Sequence, residues 1–475
     1  MDDEQAVGEQ AGGVIAEMMS DGLPAQRRVW AVLTVSIAVG LATLDTAIAN
    51  TALPVIAADL LTTPAASIWV VNAYQLALVV SLLPFAALGE IVGYRRVYVV
   101  GLVVFTLASL VCALSWSLPS LTAARVLQGF GASGIMSVNT ALIRFIYPSR
   151  LLGRGVGFNA LIVAVSFAVG PTVASAVLSV ASWQWLFAVN VPLGVIAIAL
   201  AMPTLPETRR LAHRFDTASA LLNAATFGLL IFAIGEAAHR APVAEVMAEF
   251  VGAACFGALL WRRQATLPAP MLPVDLFRRP MFTLSAVTSI CSFAAQGLGF
   301  VALPFYFHSV LGRTPVEIGL LLTPWPVAVG IMAPIAGALS DRYSPGLLGG
   351  FGLAILSLGM LSLAGLPAHP GVIDIVWRML LCGAGFGFFQ SPNLKALMSS
   401  APAERSGGAS GIVATARLLG QSTGAALVAL CLGISVSYGS SLALVLGAGF
   451  AGAASVASFA RLLVAGPEVS PLAGD

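Results

Sequence analysis

Charged residues are scarce in this chain of 475 residues. Asp, Glu, Lys and Arg together make up 9% of it, whereas hydrophobic residues make up 58%. A soluble domain averages about 25% charged residues, so the composition excludes an ordinary soluble protein and indicates one that crosses a membrane many times. The net charge of +2 is small, and the positions of the charges are more informative than their sum.

Features that soluble chemistry requires are also missing. The five cysteines lie inside apolar runs without CxxC or Cys/His spacing, so we interpret them as small core residues rather than as a disulfide set or a metal site. The four histidines are scattered, and no Walker motif or nucleophile–base set occurs. We therefore expect no metal or other cofactor, no enzyme activity, no nucleic-acid partner and no use of ATP.

The ends of the chain are polar. The first ten residues, MDDEQAVGEQ, are acidic, which is the opposite of the basic start of a signal peptide. We predict a disordered cytoplasmic tail over 1–26 and a second cytoplasmic tail over 464–475.

Apolar runs long enough to cross a membrane, which takes about 20 residues, are abundant. Fourteen such runs are separated by short polar breaks. They lie near 30–53, 67–88, 97–116, 119–143, 155–180, 184–203, 215–235, 244–261, 282–307, 316–338, 347–366, 372–397, 407–432 and 437–462. The sequence therefore predicts an all-α membrane protein with fourteen transmembrane helices and no sizeable soluble domain.

The arginines predict the orientation of these helices. Arginine pairs at 27–28, 95–96 and 262–263 fall on the side of the N-terminus, whereas the loops on the opposite side carry only Arg240 and Arg313. Short cytoplasmic loops are rich in Lys and Arg. We therefore predict a multi-pass protein of the inner (plasma) membrane with both termini in the cytoplasm.

The chain contains an internal repeat at an offset of 251 to 254 residues. SVNTALI at 137–143 returns as SPNLKALM at 391–398, and Gly170 returns as Gly424. Several matches at one offset are not expected by chance among helices rich in glycine and alanine. The repeat indicates two halves in the same orientation, an arrangement in which transporters place the substrate site between the halves.

The repeat also predicts the domain organisation. We expect one six-helix bundle over 27–205 and a second over 281–463. Two inserted transmembrane helices with their linkers would occupy 206–280 between them.

Five motifs in order add a family resemblance. They are LDTAIANTALP, ALGEIVGYRR, LTAARVLQGFGA, AVGPTVASAVL and WQWLFAVNVPLG. With these motifs the chain resembles the major facilitator superfamily, and within it the fourteen-span drug:proton antiporters, from about Val29 to Leu463. The resemblance implies a secondary transporter of small molecules that is driven by a proton gradient and lies in the lipid bilayer.

In this family the loop after the second span forms a cytoplasmic latch that is made in one conformational state and broken in the other. The corresponding residues here are Glu90, Gly93, Arg95 and Arg96, with Asp341 and Arg342 as their counterparts in the repeat. Ile91 and Tyr94 replace arginines of the usual motif, so we expect a weaker or reorganised latch. Alternatively, Arg95 and Arg96 only follow the cytoplasmic arginine bias.

The fifth span resembles the antiporter motif of the family through Gly157, Gly170 and Pro171. Small residues permit close helix contact, and Pro171 removes a backbone donor and is expected to bend the helix. Ala174 and Ser175 stand where the motif usually has paired glycines. Plain packing and a gating role both fit these residues.

Asp45 is the only acid that lies well within a span. It is about 8 residues, or roughly 12 Å, from the end of the first span near Leu53, and Arg125 is about 6 residues, or roughly 9 Å, from the same side in the fourth span. Their similar depth makes a direct or water-bridged ion pair geometrically feasible. Because an intramembrane acid is by default a functional site, we predict that Asp45 and Arg125 couple transport to protons, with a purely structural pair as the alternative.

We expect the substrate cavity to be lined from both halves by aromatic and amide side chains, which suit flat lipophilic cations. The candidates are Tyr74, Gln75, Gln128, Asn139, Phe293, Gln296, Phe300, Phe386, Phe389 and Asn393. Ordinary bundle packing explains most of the aromatic residues equally well.

The leading functional prediction is proton-coupled export of hydrophobic, often cationic toxic compounds or drugs. A dedicated exporter of one metabolite, such as a siderophore, and a non-transporting membrane sensor are the alternatives. We expect the protein to function as a monomer, and the sequence leaves open whether a periplasmic adaptor protein assists it.

Overall fold

The computed structural model describes residues 22–148, 151–208, 215–238, 242–265, 274–340, 342–367, 369–401 and 406–463. Helices are the only regular elements in these ranges. Of the two predicted tails, residues 1–21 and 464–475 lie outside the described residues, and the first helix already begins at Ala25.

Fourteen helical segments in the described part of the chain are long and apolar enough to cross a membrane, which confirms the prediction; three of them include a short helix that precedes the main one. They are numbered along the chain. Their bounds are α1 Ala25–Asp59, α2 Trp69–Val92, α3 Tyr94–Ala113, α4 Leu118–Ile146, α5 Leu152–Val180, α6 Asn190–Thr204, α7 Thr217–Ala238, α8 Val243–Gln264, α9 Pro280–Phe305, α10 Pro324–Leu339, α11 Pro345–Ala364, α12 Val372–Ser399, α13 Ser406–Ile434 and α14 Val436–Ala460. Short helices precede three of them: Pro64–Ser67 before α2, Gln184–Ala188 before α6 and Pro315–Leu322 before α10.

Local capping fixes where two of these segments begin. We call the side of the bundle on which α1 begins the near side, and the opposite side the far side. On the far side, Ser117 and Ser120 form a capping box at the start of α4, because each hydroxyl accepts a hydrogen bond from the backbone N–H of the other residue. Thr314 and Glu317 start the short helix before α10 in the same way. The cap of α4 sets the depth of the functional residues that follow it.

The two halves use the same helix pairs. In the N-terminal half α1 packs against α5 and α6, and α4 packs against α2 and α3; in the C-terminal half α9 packs against α13 and α14, and α12 against α10 and α11. A Cβ at Gly129 of α4 would lie 2.4 Å from the Tyr74 carbonyl oxygen, and one at Gly383 of α12 would lie 2.1 Å from that of Trp325. Only glycine permits this approach. The helix contacts therefore fit the two similar bundles that the repeat predicts, and the bounds of these domains stay a prediction.

The two inserted helices contact both halves through α7, which packs against α2 and α13, while α8 packs against α7. Arg263 Nη2 and Nε donate to Asp216 at 2.8 and 3.2 Å, and Ser219 Oγ donates to it at 2.5 Å. These hydrogen bonds, chiefly those from Arg263, lower the pKa of Asp216 to about 2. Asp216 therefore stays ionised at neutral pH and ties α7 to α8 at the near side.

The most extensive contacts between the halves are those of α1 with α9, α2 with α13, and α5 with the short helix Pro315–Leu322. On the far side, Ser175 Oγ donates to the Pro315 carbonyl at 2.9 Å, and the Thr172 and Thr323 hydroxyls share a hydrogen bond of 2.9 Å. The halves are thus in direct polar contact at the far side.

Candidate coupling site and central cavity

Asp45 lies buried on α1, with 1% of its surface exposed. Its Oδ1 accepts hydrogen bonds from Gln128 Nε2 at 2.9 Å and from Asn190 Nδ2 at 2.8 Å. Its Oδ2 forms an ion pair and hydrogen bond with Arg125 Nη1. The contact that the equal depths of Asp45 and Arg125 suggested is therefore direct, and three side chains donate to one carboxylate.

Arg125 is fully buried and has partners besides Asp45. Its Nε donates to the Val70 carbonyl at 2.9 Å, and its Nη1 also donates to Gln128 Oε1 at 2.6 Å. The guanidinium carbon lies 4.2 Å from the centre of the Tyr74 ring and 5.5 Å from that of Phe187. The position of the guanidinium is thus defined by the α2 backbone and two aromatic rings as well as by the acid.

The charge network belongs entirely to the N-terminal half among the contacts described. Gln128 Nε2 also donates to Ser109 Oγ on α3 at 2.9 Å. With Asp45 on α1, Val70 on α2, Gln128 on α4 and Asn190 on α6, five helices of one bundle meet at this point. A change at the carboxylate therefore acts on the packing of the whole N-terminal bundle.

The arrangement fits an ionised carboxylate, because its three side-chain partners are all donors. Breaking a buried ion pair by removing one partner is costly, since the other charge is left uncompensated. Here the loss of the Asp45 charge would leave Arg125 with the Val70 carbonyl, the Gln128 oxygen and the Tyr74 ring. The site can therefore exchange one partner of the guanidinium without leaving it isolated.

A small central cavity lies between the halves. It is lined from α1, α2 and α5 of one half and from α9 and α13 of the other. The lining residues are Thr46, Asn50, Gln75, Phe167, Gln296, Gly297, Phe300, Val301 and Gln421. The volume is ≈ 10 Å³, room for about one water molecule. A substrate would need the halves to separate here.

Tyr74 connects the charge network to the cavity. Its ring contacts Arg125, and its hydroxyl donates to the Ala42 carbonyl at 3.1 Å. The Thr46 hydroxyl, which lines the cavity, donates to the same carbonyl at 3.2 Å. Asp45 and Thr46 are also neighbours in the chain, so a shift of α1 moves the carboxylate and the cavity wall together.

Three of the predicted cavity residues line this cavity: Gln75, Gln296 and Phe300. Tyr74 and Gln128 belong to the charge network instead, because they face the interior of the N-terminal bundle. The lining residues that sequence reasoning missed are Thr46, Asn50, Phe167, Gly297, Val301 and Gln421. The sequence did offer a signal for two of them, because Thr46 and Asn50 are polar, lie close to Asp45 and are four residues apart, which places them on one face of α1.

The remaining aromatic candidates are core residues of the C-terminal half. The Phe386 ring lies 5.4 Å from that of Phe293 and 6.0 Å from that of Phe389, and each of the two rings Phe386 and Phe389 is 1% exposed. Asn139 is also away from the cavity, because its Nδ2 donates to Asn159 Oδ1 at 3.0 Å between α4 and α5. In this structure the four residues pack within one bundle or the other, and a role for them in lining a substrate cavity stays a prediction.

Asn393 binds an arginine that directly follows α14 at the near side. Arg461 is only 2% exposed, and its Nη1 donates to Asn393 Oδ1 at 2.7 Å and to Ser285 Oγ at 3.1 Å. Its Nη2 donates to Ser458 Oγ. The side chain therefore turns back into the C-terminal bundle and is held there by neutral acceptors.

The predicted latch contacts α6 within the N-terminal half. Gly93, with φ of +100°, joins α2 to α3, and the next backbone N–H, that of Tyr94, donates to Thr208 Oγ1 at 2.9 Å. Arg95 Nη1 lies 3.2 Å from Glu207 Oε1, at the end of the same connection. These contacts anchor the α2–α3 turn to the chain that follows α6.

The remaining described latch residues lie at or near the surface of the protein. Arg95 Nη2 also donates to the Met202 carbonyl, whereas Arg96 and Arg342 are exposed and Glu90 is half-buried. Asp341 lies outside the described residues. Whether the latch switches between states stays a prediction.

In α5, the helix continues through Pro171, and Gly170 lies against α1. A Cβ at Gly170 would be 2.3 Å from the Cβ of Ala47, two residues after Asp45. The surroundings of Gly157 lie outside the described side chains. The close contact of Gly170 places α5 directly against the segment of α1 that carries the acid.

Asn190 is the functional-site residue that the sequence gave no reason to select. It lies in the motif WQWLFAVNVPLG. The sequence alone does not show whether an amide inside an apolar helix binds a carboxylate or only packs against its neighbours. The structure supplies the missing observation, a hydrogen bond from α6 to Asp45.

The sequence pattern described as Major Facilitator Superfamily matches residues 35–425. The chain belongs to the Major Facilitator Superfamily. Together with the fourteen helices in two similar bundles, this makes it a multi-pass membrane transporter and not an enzyme, as predicted.

Several transporters of the superfamily are similar to the chain along most of its length. The uncharacterized transporter YebQ of Escherichia coli (strain K12) is 60% identical over 418 residues, which cover 88% of this chain and 92% of YebQ. The riboflavin transporter RibZ of Clostridioides difficile (strain 630) is 28% identical over 413 residues, covering 86% and 89%. The multidrug resistance protein Stp of Mycobacterium tuberculosis (strain CDC 1551 / Oshkosh) is 31% identical over 393 residues, covering 81% and 72%.

Proposed function

We propose that this transporter is a proton-coupled antiporter that exports hydrophobic or amphipathic toxic compounds across the inner (plasma) membrane by alternating access. The observation that carries the proposal is the buried Asp45 carboxylate, held by three donors beside a cavity between the halves. An acid at this depth is costly to bury, so an intramembrane acid is by default a functional site. The similarity to a multidrug resistance protein supports the export direction.

The proton would act through the bond between α1 and α4. Protonation of Asp45 removes the charge that attracts Arg125, and the guanidinium then relies on the Val70 carbonyl and Gln128 Oε1. This loosens α1, which also carries Thr46 and Asn50 of the cavity wall. Proton binding and cavity shape are thereby linked without direct contact between proton and substrate.

The direction of opening follows from the proposed orientation. The arginine bias places the near side in the cytoplasm, so the far-side contacts between α5 and the short helix Pro315–Leu322 would close the cavity to the outside. Substrate would enter from the cytoplasm or the inner leaflet as the halves separate on the near side. Breaking the far-side contacts would then release it outside.

A dedicated exporter of one metabolite is the second candidate. Four amide side chains line the cavity, and such groups favour a substrate with matching hydrogen-bonding groups. The similarity to a riboflavin transporter supports this reading. Drug susceptibility of a pump-deleted host separates the two, because a broad resistance profile favours multidrug export and the absence of any profile favours the metabolite exporter.

Transport by purified protein in liposomes tests the coupling. With an acidic interior, wild-type protein should concentrate at least one of three probes, namely ethidium, riboflavin and 1-naphthylacetate, and collapse of the pH gradient with nigericin should abolish this. Asp45→Asn should lose the accumulation and still exchange labelled for unlabelled probe. Asp374→Asn is the matched control, because Asp374 pairs with Arg378 at the far-side start of α12, away from the cavity.

The outcomes separate the classes of function. Uphill accumulation that persists in Asp45→Asn would show that Asp45 is not the proton carrier. A wild-type protein that moves no probe and confers no resistance would favour the non-transporting sensor. Full transport by liposomes that contain one chain each would support the predicted function as a monomer. Undiminished resistance of cells that lack periplasmic adaptors would show that no adaptor is needed.

A further inference from the structure

Arg417 is a second positive charge near the centre of the molecule. It lies on α13, which packs against α2, α7 and α9. Its Nε is buried and has no hydrogen-bond partner among the described residues, and α2, against which its helix packs, carries Tyr74 and Gln75. It is four residues, about 6 Å, closer to the near side than Gln421, which lines the cavity.

The other buried arginines of the spans have an ion-pair partner or several hydrogen-bond acceptors. Arg125 pairs with Asp45 and Arg378 with Asp374 at 3.1 Å, and Arg461 donates to neutral acceptors. Among the residues that the structure describes, Arg417 is in no ion pair. A charge left without a partner at membrane depth is expensive and marks a functional position.

Among the described residues, no carboxylate lines the central cavity, which α13 reaches at Gln421, one helical turn from Arg417. The Asp45 charge is already matched by Arg125, so Arg417 contributes the unbalanced charge of this central region. Opposite charges attract strongly in a low-dielectric interior, and like charges repel by the same amount. The region therefore favours an anion over a cation, contrary to the cationic substrates that the sequence suggested.

We propose that Arg417 binds the anionic group of the substrate, and that the substrates are amphipathic organic acids, carboxylates above all. This inference rests on the proposed transport function. A carboxylate entering from the near side would meet the planar guanidinium, which suits bidentate binding. The apolar part would then lie against Phe167 and Phe300, whose rings are 5.0 Å apart on opposite sides of the interface, and the amides of Gln75 and Gln296 would orient it.

Three probes of equal shape isolate the effect of charge: 1-naphthylacetate, its neutral amide, and (1-naphthylmethyl)trimethylammonium. Binding to detergent-purified protein and pH-driven uptake into proteoliposomes are measured separately. Wild-type protein should bind the carboxylate about ten-fold more tightly than the amide, a typical value for one charged hydrogen-bonded contact, and should bind the ammonium compound most weakly.

Variants of Arg417 give the decisive comparison. Arg417→Gln should lose the ten-fold preference and leave amide binding unchanged, and Arg417→Lys should retain part of the preference. Arg378→Gln is the matched control, because it removes a paired arginine of α12, and it should keep the preference of the wild type. Unchanged amide binding also shows that Arg417→Gln is folded.

Failure of this inference differs from failure of the transport proposal. Binding of the carboxylate that depends on Arg417, without uptake, would support the substrate class and contradict transport. Uptake with equal or greater affinity for the ammonium compound, or a carboxylate preference that survives Arg417→Gln, would overturn the role of Arg417 and leave transport standing. Absence of binding by all three probes would overturn the proposed substrate class.

Discussion

Asp45 and Arg125 depend on each other for burial. The two side chains are 1% and 0% exposed, and each would leave an uncompensated charge if the other were removed. Arg125→Met should therefore lower the free energy of unfolding by about 3–5 kcal/mol, the usual cost of breaking a buried pair. Replacing both residues, with Asp45→Asn added, should recover most of this loss.

Thermal unfolding of the purified variants measures the loss of stability in Arg125→Met and its recovery in the double variant. The pair is coupled if the double variant is markedly more stable than the sum of the two single losses predicts. If the losses simply add, the ion pair does not stabilise the N-terminal bundle, and Asp45 and Arg125 act independently.

Sequence reasoning located this pair because depth is a simple function of residue count. Eight residues from the end of one span and six from the end of another give almost the same depth, and the two side chains do meet. It left packing and cavity lining both open for Phe386 and Phe389, because a helical period identifies a buried face but not whether that face borders a cavity or a neighbouring helix. It did not foresee the burial of Arg461, because the arginine bias counts position along the chain and not side-chain direction.

Helix contacts within each half rest on glycine at equivalent positions. Gly129→Ala should destabilise the protein by about 1–3 kcal/mol, the usual cost of overpacking, because the new methyl would meet the Tyr74 backbone at 2.4 Å. Gly330→Ala is the control in a helix interior, since no atom lies within 4 Å of the place that its new methyl would occupy, and it should be neutral or slightly stabilising. Thermal unfolding of the two variants measures the difference, and equal stabilities would contradict the close contact of α2 and α4.

At the level of helices the sequence was a reliable guide, because about 20 apolar residues and an offset of 251 to 254 residues are strong signals. The short helices before α2, α6 and α10 were not predicted. Two of them begin at Pro64 and Pro315, where proline suits the first turn of a helix, but a proline inside an apolar run does not by itself tell a new helix from a bend.

On the scale of the whole molecule, polar contacts join the two halves on the far side, and the proposed alternating access requires that they break. The Thr172 and Thr323 hydroxyls, one from each half, are 2.9 Å apart. In a variant without the five natural cysteines, Thr172→Cys with Thr323→Cys should form a disulfide on oxidation that stops transport, and reduction should restore it.

A pair within one half provides the control. The Thr34 and Thr204 hydroxyls are 3.2 Å apart between α1 and α6 of the N-terminal half. Cysteines at these two positions should cross-link without loss of transport, because the half moves as a unit. Full transport with the Thr172–Thr323 cross-link in place would contradict separation of the halves at the far side.

Proton flux through Asp45 is the most direct test of the whole account. A pH-sensitive dye inside proteoliposomes records proton movement while ethidium, riboflavin or 1-naphthylacetate, whichever the wild type transports, is added outside. The account predicts proton flux that is driven by the probe in wild type and in Asp374→Asn and absent in Asp45→Asn, although Asp45→Asn still exchanges probe. Probe-driven proton flux of wild-type size in Asp45→Asn would contradict it.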